Sequence, residues 1–302
     1  MRLFDRTVVR LLPAVPRPVV QRLSSPYIAG ATLDEARRTV AALNAEGKLA
    51  TVDVLGEEVT RPDEAEAIAD AYHDVLSAIE GDGLDSNISI KLTGIGLKLD
   101  PDLCRRLLTR LIGDAAGRGS FVRIDMEDAT CTDDTLDLYR ALRAGGHDDV
   151  GIVLQAYLKR TMRDIADLAP LRPNVRLCKG IYVEPAAIAF HDADSIRRSF
   201  VSCLDALLDA GCYVGVATHD EYLIREALQR LTGLSPLDYE FQMLLGVRER
   251  RASELVAAGH RLRVYVPFGQ QWYEYSLRRL QENPKLAGHV ARDVAARLLP
   301  GR

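Results

Sequence analysis

Residues 151–178 read GIVLQAYLKRTMRDIADLAPLRPNVRLC. The run 151–156 is short, apolar and β-branched, 162–169 carries its apolar residues at helical spacing, and 174–178 is a second short β-branched run. That succession is one strand–helix–strand unit, and a crossover helix of this kind joins parallel neighbours in a sheet.

The unit repeats in both directions along the chain. Further strands are expected at 51–56, 87–92, 121–126, 213–217, 239–244 and 261–266, with helices at 63–79, 101–116, 134–143, 194–210, 221–231 and 247–258 between them. Eight strands fit a closed (β/α)8 barrel, typically ~250 residues, better than two doubly wound halves. Residues 1–45 read as helices, 33–44 most plainly, with Thr32 as N-cap and Glu35 completing a capping box. The expected organisation is an N-terminal helical segment, 1–45, covering one end of a barrel formed by 46–302, the whole making one structural domain.

Composition narrows the function. A formal net charge of -4 and a pI near 5.9 give no general attraction for phosphate backbones, so no nucleic-acid partner is expected. No apolar stretch approaches the ~20 residues of a membrane span. The first twenty residues mix Arg2, Arg6 and Arg10 with three prolines, unlike a secretory signal, and a cytoplasmic protein is expected. Apolar residues beside arginines in 1–12 allow at most peripheral contact with the inner face of a membrane. Five cysteines without a C-x-x-C pair and six scattered histidines predict neither disulfides nor a metal site. Gly94 and Gly96 begin a G-x-G pattern, but Leu99 stands where its last glycine belongs. Neither a phosphate-binding P-loop nor a G-x-S-x-G elbow occurs.

In such a barrel the chemistry gathers at the C-terminal strand ends. There lie Lys91; Asp125, Glu127 and Asp128; Gln155 and Tyr157; Arg176 and Lys179; Thr218, His219 and Asp220; and Gln242 and Tyr265. Singly, each has a structural explanation. Together, Lys91, Arg176 and Lys179 suggest an anionic ligand, because unpaired buried charge is costly. After the last strand, Tyr275, Arg278, Arg279 and Glu282 share one face of a helix over 272–283. Turned outward, that face is solvated; turned inward, its two guanidinium groups can grip a carboxylate.

The segments Ser89-Ile90-Lys91-Leu92, Arg176-Leu177-Cys178-Lys179-Gly180-Ile181-Tyr182 and Tyr275-Ser276-Leu277-Arg278-Arg279-Leu280-Gln281-Glu282-Asn283 resemble the proline dehydrogenase family. So do Ile124-Asp125-Met126-Glu127, Gln155-Ala156-Tyr157, Ala217-Thr218-His219-Asp220 and Tyr239-Glu240-Phe241-Gln242, in the family's order. The resemblance implies a distorted (β/α)8 barrel with the final helix over its mouth, and FAD-dependent oxidation of L-proline to 1-pyrroline-5-carboxylate with a quinone as electron acceptor. It implies FAD ligands at Gln155, Arg176, Lys179, Thr218 and His219, backbone contacts near Met126, Gly180 and Ile181, and Arg176 beside the flavin's reactive nitrogen. Lys91, Arg278 and Arg279 would bind the proline carboxylate, with Glu282 on the same helical face. Tyr182, Leu244, Tyr265 and Tyr275 would enclose the ring, and Asp125 would support the cations. A tyrosine at 265 would disfavour hydroxyproline by crowding its extra oxygen.

Two rivals use the same residues differently. A Schiff-base aldolase would employ Lys91 or Lys179 as a nucleophile. A non-catalytic amino-acid-binding protein would use the Arg278/Arg279 clamp without a flavin.

Overall fold

The computed structural model describes residues 25–56, 58–273 and 275–276. Eight parallel strands close into a barrel in chain order: β1 (Leu49–Val54), β2 (Ser86–Ile90), β3 (Val122–Ile124), β4 (Val150–Gln155), β5 (Asn174–Cys178), β6 (Tyr213–Ala217), β7 (Tyr239–Leu244) and β8 (Leu262–Phe268). Closure is the longest pairing, with β8 against β1 from Leu49 beside Arg263 to Val54 beside Phe268. Five of the expected strands shift by a residue or two at their ends, and β3 is the shortest because the chain turns away once the Asp125 N–H has reached the Ile90 carbonyl at 2.9 Å.

Among the described residues eight α-helices surround the sheet. The helix α1 (Leu33–Ala45) precedes β1, and α2 (Pro62–Gly81), α3 (Pro101–Gly117), α4 (Thr132–Ala144), α5 (Thr161–Leu168), α6 (Ala193–Asp209), α7 (Glu221–Arg230) and α8 (Glu249–Ala257) follow the first seven strands in turn. Their starts are chemically specified. Thr32 and Glu35 form the expected capping box, prolines open α2 and α3, and Asp100, Asp192 and Asp220 accept first-turn N–H groups of α3, α6 and α7.

Helix α1 departs from expectation. It lies on the barrel's flank, packed on β1 and β8 with Ala36 and Val40 buried in the main core, and does not cover an end. Hydrogen bonds from Ala29 N–H to the Pro267 carbonyl (2.9 Å) and from Gly269 N–H to the Gly30 carbonyl (3.1 Å) fix its approach. Among the described residues no helix follows β8 on the flank: Tyr275 packs on Ile28 and Leu55, and α1 takes the place between β8 and β1.

Strand residues alternate in direction, and here the alternation divides by polarity. In five strands a charge stands between two apolar neighbours: Val52-Asp53-Val54, Val122-Arg123-Ile124, Val175-Arg176-Leu177, Tyr239-Glu240-Phe241 and Leu262-Arg263-Val264. The apolar residues pack under the helices and the charged ones meet inside the barrel. Barrel interiors are more often filled with Val, Ile and Leu. This one is filled with hydrogen bonds, so its walls hold polar side chains in fixed positions all the way to the mouth.

Candidate active site at the barrel mouth

Arg176 is the centre of the upper interior. Its Nη1 donates to Asp125 Oδ1 (2.6 Å) and Ser89 Oγ (3.1 Å), and its Nε donates to Gln242 Oε1 (2.6 Å). The other oxygen of Asp125 accepts from the Tyr265 hydroxyl at 3.0 Å, and the Arg176 guanidinium lies 5.3 Å from the centre of the Tyr265 ring. Burial, with Asp125 and Asp53 nearby, raises the Tyr265 pKa well above the ordinary phenol value, so the hydroxyl keeps its proton for Asp125.

Beside this knot Lys91 Nζ donates to Asp53 Oδ2 (2.8 Å) and to the Tyr265 hydroxyl (3.3 Å), and lies 4.0 Å from Asp125 Oδ2. Asp53 is wholly buried. Desolvation raises its pKa above the usual carboxylate range, with Lys91 opposing the shift. Its support comes from outside the barrel. The paired register of β1 and β2 runs from Ala50 beside Ser86 to Val52 beside Ile88. Above it, the hydroxyl of Tyr72 from α2 accepts from Val54 N–H (3.2 Å), donates to the Ser89 carbonyl (2.6 Å) and lies 3.1 Å from Asp53 Oδ1.

These contacts correct one expectation. Lys91, Arg176 and Lys179 are not uncompensated charges, since each has a carboxylate within reach: Asp53, Asp125 and, at 3.4 Å, Asp220. The three cations therefore do not by themselves call for an anionic ligand.

The rim adjoining Arg176 is built from β4, β5 and β6. Gln155 is 3% exposed; its Nε2 donates to the Glu127 carbonyl (2.7 Å), while its Oε1 is buried without a partner among the described residues. An acceptor left so is costly unless a donor reaches it. Gly180 has φ +104, and a Cβ there would fall inside the Tyr157 ring, so the backbone runs flat against that ring as no other residue permits. Thr218 Oγ1 accepts from Asp220 N–H (3.1 Å), and His219 Nε2 accepts from Leu244 N–H (3.0 Å), which leaves Nδ1 as the ring's donor. Burial pushes the Asp220 pKa up, but hydrogen bonding to Arg197 and the charge of Lys179 outweigh it, and the net shift is downward. Met126 is buried, Tyr182 and Leu244 are half-buried, and Ile181 is exposed.

Tyr275, 4% exposed, packs against Leu55 just beyond β1. Arg278, Arg279 and Glu282 lie outside the described residues. Asp53, Tyr72, Ser89, Glu240 and Arg263 were not anticipated in the interior network. The signal for most of them was a polar residue between two apolar ones inside a strand rather than at its end.

Comparison with known proteins adds a separate line of observation. The family model described as Proline dehydrogenase matches residues 36–292. Proline dehydrogenase 1 of Bacillus subtilis subsp. natto is 39% identical over 270 residues, covering 89% of each chain. Proline dehydrogenase of Deinococcus radiodurans is 36% identical over 298 residues, 94% of this chain and 96% of that one. In structure, proline utilization A from Bdellovibrio bacteriovorus, inactivated by N-propargylglycine, superposes with a TM-score of 0.80 at 22% identity. The match covers 87% of this chain but 33% of that longer one, and at this identity it speaks for the fold.

Proposed function

This chain belongs to the proline dehydrogenase family, and from that premise we propose that its barrel mouth oxidises L-proline to 1-pyrroline-5-carboxylate with bound FAD, passing the electrons on to a quinone. The observation that carries the assignment to this site is the Arg176–Asp125–Tyr265 knot near the C-terminal strand ends, with Gln155 Oε1, which has no partner among the described residues, on the neighbouring strand.

The donor set suits the cofactor. Gln155 Oε1 can accept from a ring N–H of an isoalloxazine, Gly180 lets the loop after β5 pack flat on the Tyr157 ring, and Lys179, Thr218 and His219 line the adjoining rim. The Arg176 guanidinium is held by Asp125, Ser89 and Gln242, and Met126 follows β3 as Ile181 follows β5. FAD, when bound, supplies the acceptor for the two electrons. The chain supplies orientation. Proline must lose a proton from nitrogen before the adjacent C–N bond can become double, and its reacting carbon must be held in one place meanwhile. Arg278 and Arg279, with Lys91, are proposed to hold the carboxylate, Glu282 to share their helical face, and Tyr182, Leu244, Tyr265 and Tyr275 to enclose the ring.

The aldolase alternative is not favoured. A nucleophilic lysine needs a neutral amine in a desolvated, uncompensated setting, whereas Lys91 sits against Asp53 and Lys179 against Asp220. Contact with a membrane, if the quinone lies there, would be peripheral; among the described residues no helix is long and apolar enough to cross one.

The visible spectrum of the purified protein, before and after anaerobic addition of proline, tests the proposal. A yellow protein bleached by proline is the expected result; flavin absorbance indifferent to proline would remove the substrate, and a colourless protein that cannot be reconstituted with FAD would remove the cofactor. Specificity follows from Tyr265. Tyr265→Ser should raise the ratio of kcat/KM for hydroxyproline to that for proline by about tenfold or more, and an unchanged ratio would discard the crowding role.

A further inference from the structure

Below Arg176 the hydrogen bonds continue downward in one line. Gln242 Oε1, which accepts from Arg176 Nε, belongs to an amide whose Nε2 donates to Glu240 Oε1 at 2.6 Å. That oxygen also accepts from Arg263 Nε at 2.7 Å, and Arg263 Nη1 is tied to the Ala50 carbonyl at 2.5 Å. Glu240 is 1% exposed and Gln242 is 6% exposed. On the far side of the amide stands Gly215 of β6, where a Cβ would come within 2.5 Å of Gln242 Nε2.

A glutamine amide is nearly symmetric in shape and opposite in its two ends, one accepting and one donating. Turned over, Gln242 would point two N–H groups at Arg176, a side chain that has only donors. A carboxylate below the amide makes one orientation good and the other bad, because it can accept from Nε2 and would repel Oε1. Burial of Glu240 opposes its ionisation, but Arg263, in contact, and Arg123, nearby, outweigh burial and keep the carboxyl below its ordinary pKa. Tyr213 also faces it.

We propose that Glu240 is a positioning residue for proline oxidation: it fixes the orientation of Gln242, and Gln242 aims Arg176 at Asp125 and the mouth. The inference rests on the role assigned to Arg176 above, and it adds a residue four positions down β7 from Leu244, the group on that strand proposed to touch substrate. Glu240 needs an acceptor atom for this task and not, in the first place, a negative charge.

The test uses the full-length flavin-loaded protein with two readouts. One is the anaerobic rate of bleaching by proline. The other is the NMR resonance and solvent exchange of the Arg176 Nε–H, which needs no turnover. Glu240→Gln, which keeps an oxygen where Gln242 and Arg263 need it, should retain the protected Nε–H and bleach within about twofold of wild type. The pair Glu240→Met with Arg263→Met removes the carboxylate together with the guanidinium in contact with it, and Arg123 keeps its own hydrogen bonds to Asn174 and the Ile152 carbonyl. It should lose the protected Nε–H and slow bleaching by about tenfold to a hundredfold, as should Gln242→Met. Adding the pair to Gln242→Met should slow it no further, the signature of residues acting in series. Gly215→Ala, which pushes on the amide from the other side, should imitate the loss if the paired variant does not fold. Wild-type bleaching and a protected Nε–H in these variants, or equal slowing in Glu240→Gln, would overturn the inference. A wild-type protein that proline does not bleach would instead overturn the function proposed above, while the Nε–H readout would still judge the role of Glu240.

Discussion

Arg176→Met should destabilise the protein by about 3–5 kcal/mol and leave it unable to be bleached by proline at an appreciable rate. The stability loss follows from what remains behind. Asp125 would lose the guanidinium that Arg176 Nη1 now places 2.6 Å away, and the Gln242 oxygen would lose its donor. Breaking a buried pair from one side costs that amount because the partner cannot be resolvated. Across a chain of 302 residues it corresponds to a fall in thermal midpoint of roughly 5–8 °C. The functional loss has a second origin, since Asp125 also holds the Tyr265 hydroxyl and would keep only that bond and the one from Ser89 Oγ at 2.7 Å. Thermal unfolding and anaerobic bleaching measured together check both parts. A variant with a wild-type midpoint would mean that Asp125 finds another cation, with Lys91, 4.0 Å away, the first to examine.

Gly180→Ala should reduce flavin content more severely than it reduces stability. The added methyl meets the Tyr157 ring, and φ +104 is a conformation that an alanine adopts only under strain. Overpacking and backbone strain each cost about 1–3 kcal/mol. The Tyr157 N–H is bonded to the Lys179 carbonyl at 2.8 Å, so ring and loop cannot separate without disturbing the end of β5. The ratio of flavin absorbance to protein after purification is the simplest measure. A fully loaded variant would show that this stretch of backbone does not line the cofactor.

The fold was legible in the sequence because the apolar runs are short, β-branched and separated by well-capped helices. Asn174–Cys178, Tyr213–Ala217 and Tyr239–Leu244 have the limits expected of them. The placement of α1 was not legible, since its capping box and the apolar positions at Ala36 and Val40 suit a helix over an end of the barrel as well as one on its flank. Choosing between those requires knowing where the chain goes after β8. At the mouth, residues such as Lys91, Asp125 and Lys179 are legible from their places just past strand ends. Asp53 and Glu240 were missed for the same reason, being within strands, and Tyr72 was missed because its hydroxyl crosses from the outer layer through a gap between β1 and β2 that the sequence does not announce. The charge balance was misjudged in consequence: with Asp53 overlooked, Lys91 looked unpaired.

The position of α1 also bears on how the molecule comes into being. Its apolar face, with Ala36 and Val40, is synthesised before any strand exists, yet it packs on β8 as well as on β1, and β8 is made last of the eight. Contacts between such distant parts of the chain are slow to form, and surface held open for them is exposed to aggregation. The outward residues of α1 include Asp34, Arg37, Arg38 and Glu46 at its end, which confines that waiting surface to one face. Seated on both β1 and β8, α1 covers the seam at which the barrel closes, so one of the earliest pieces of the chain latches the last strand to be made.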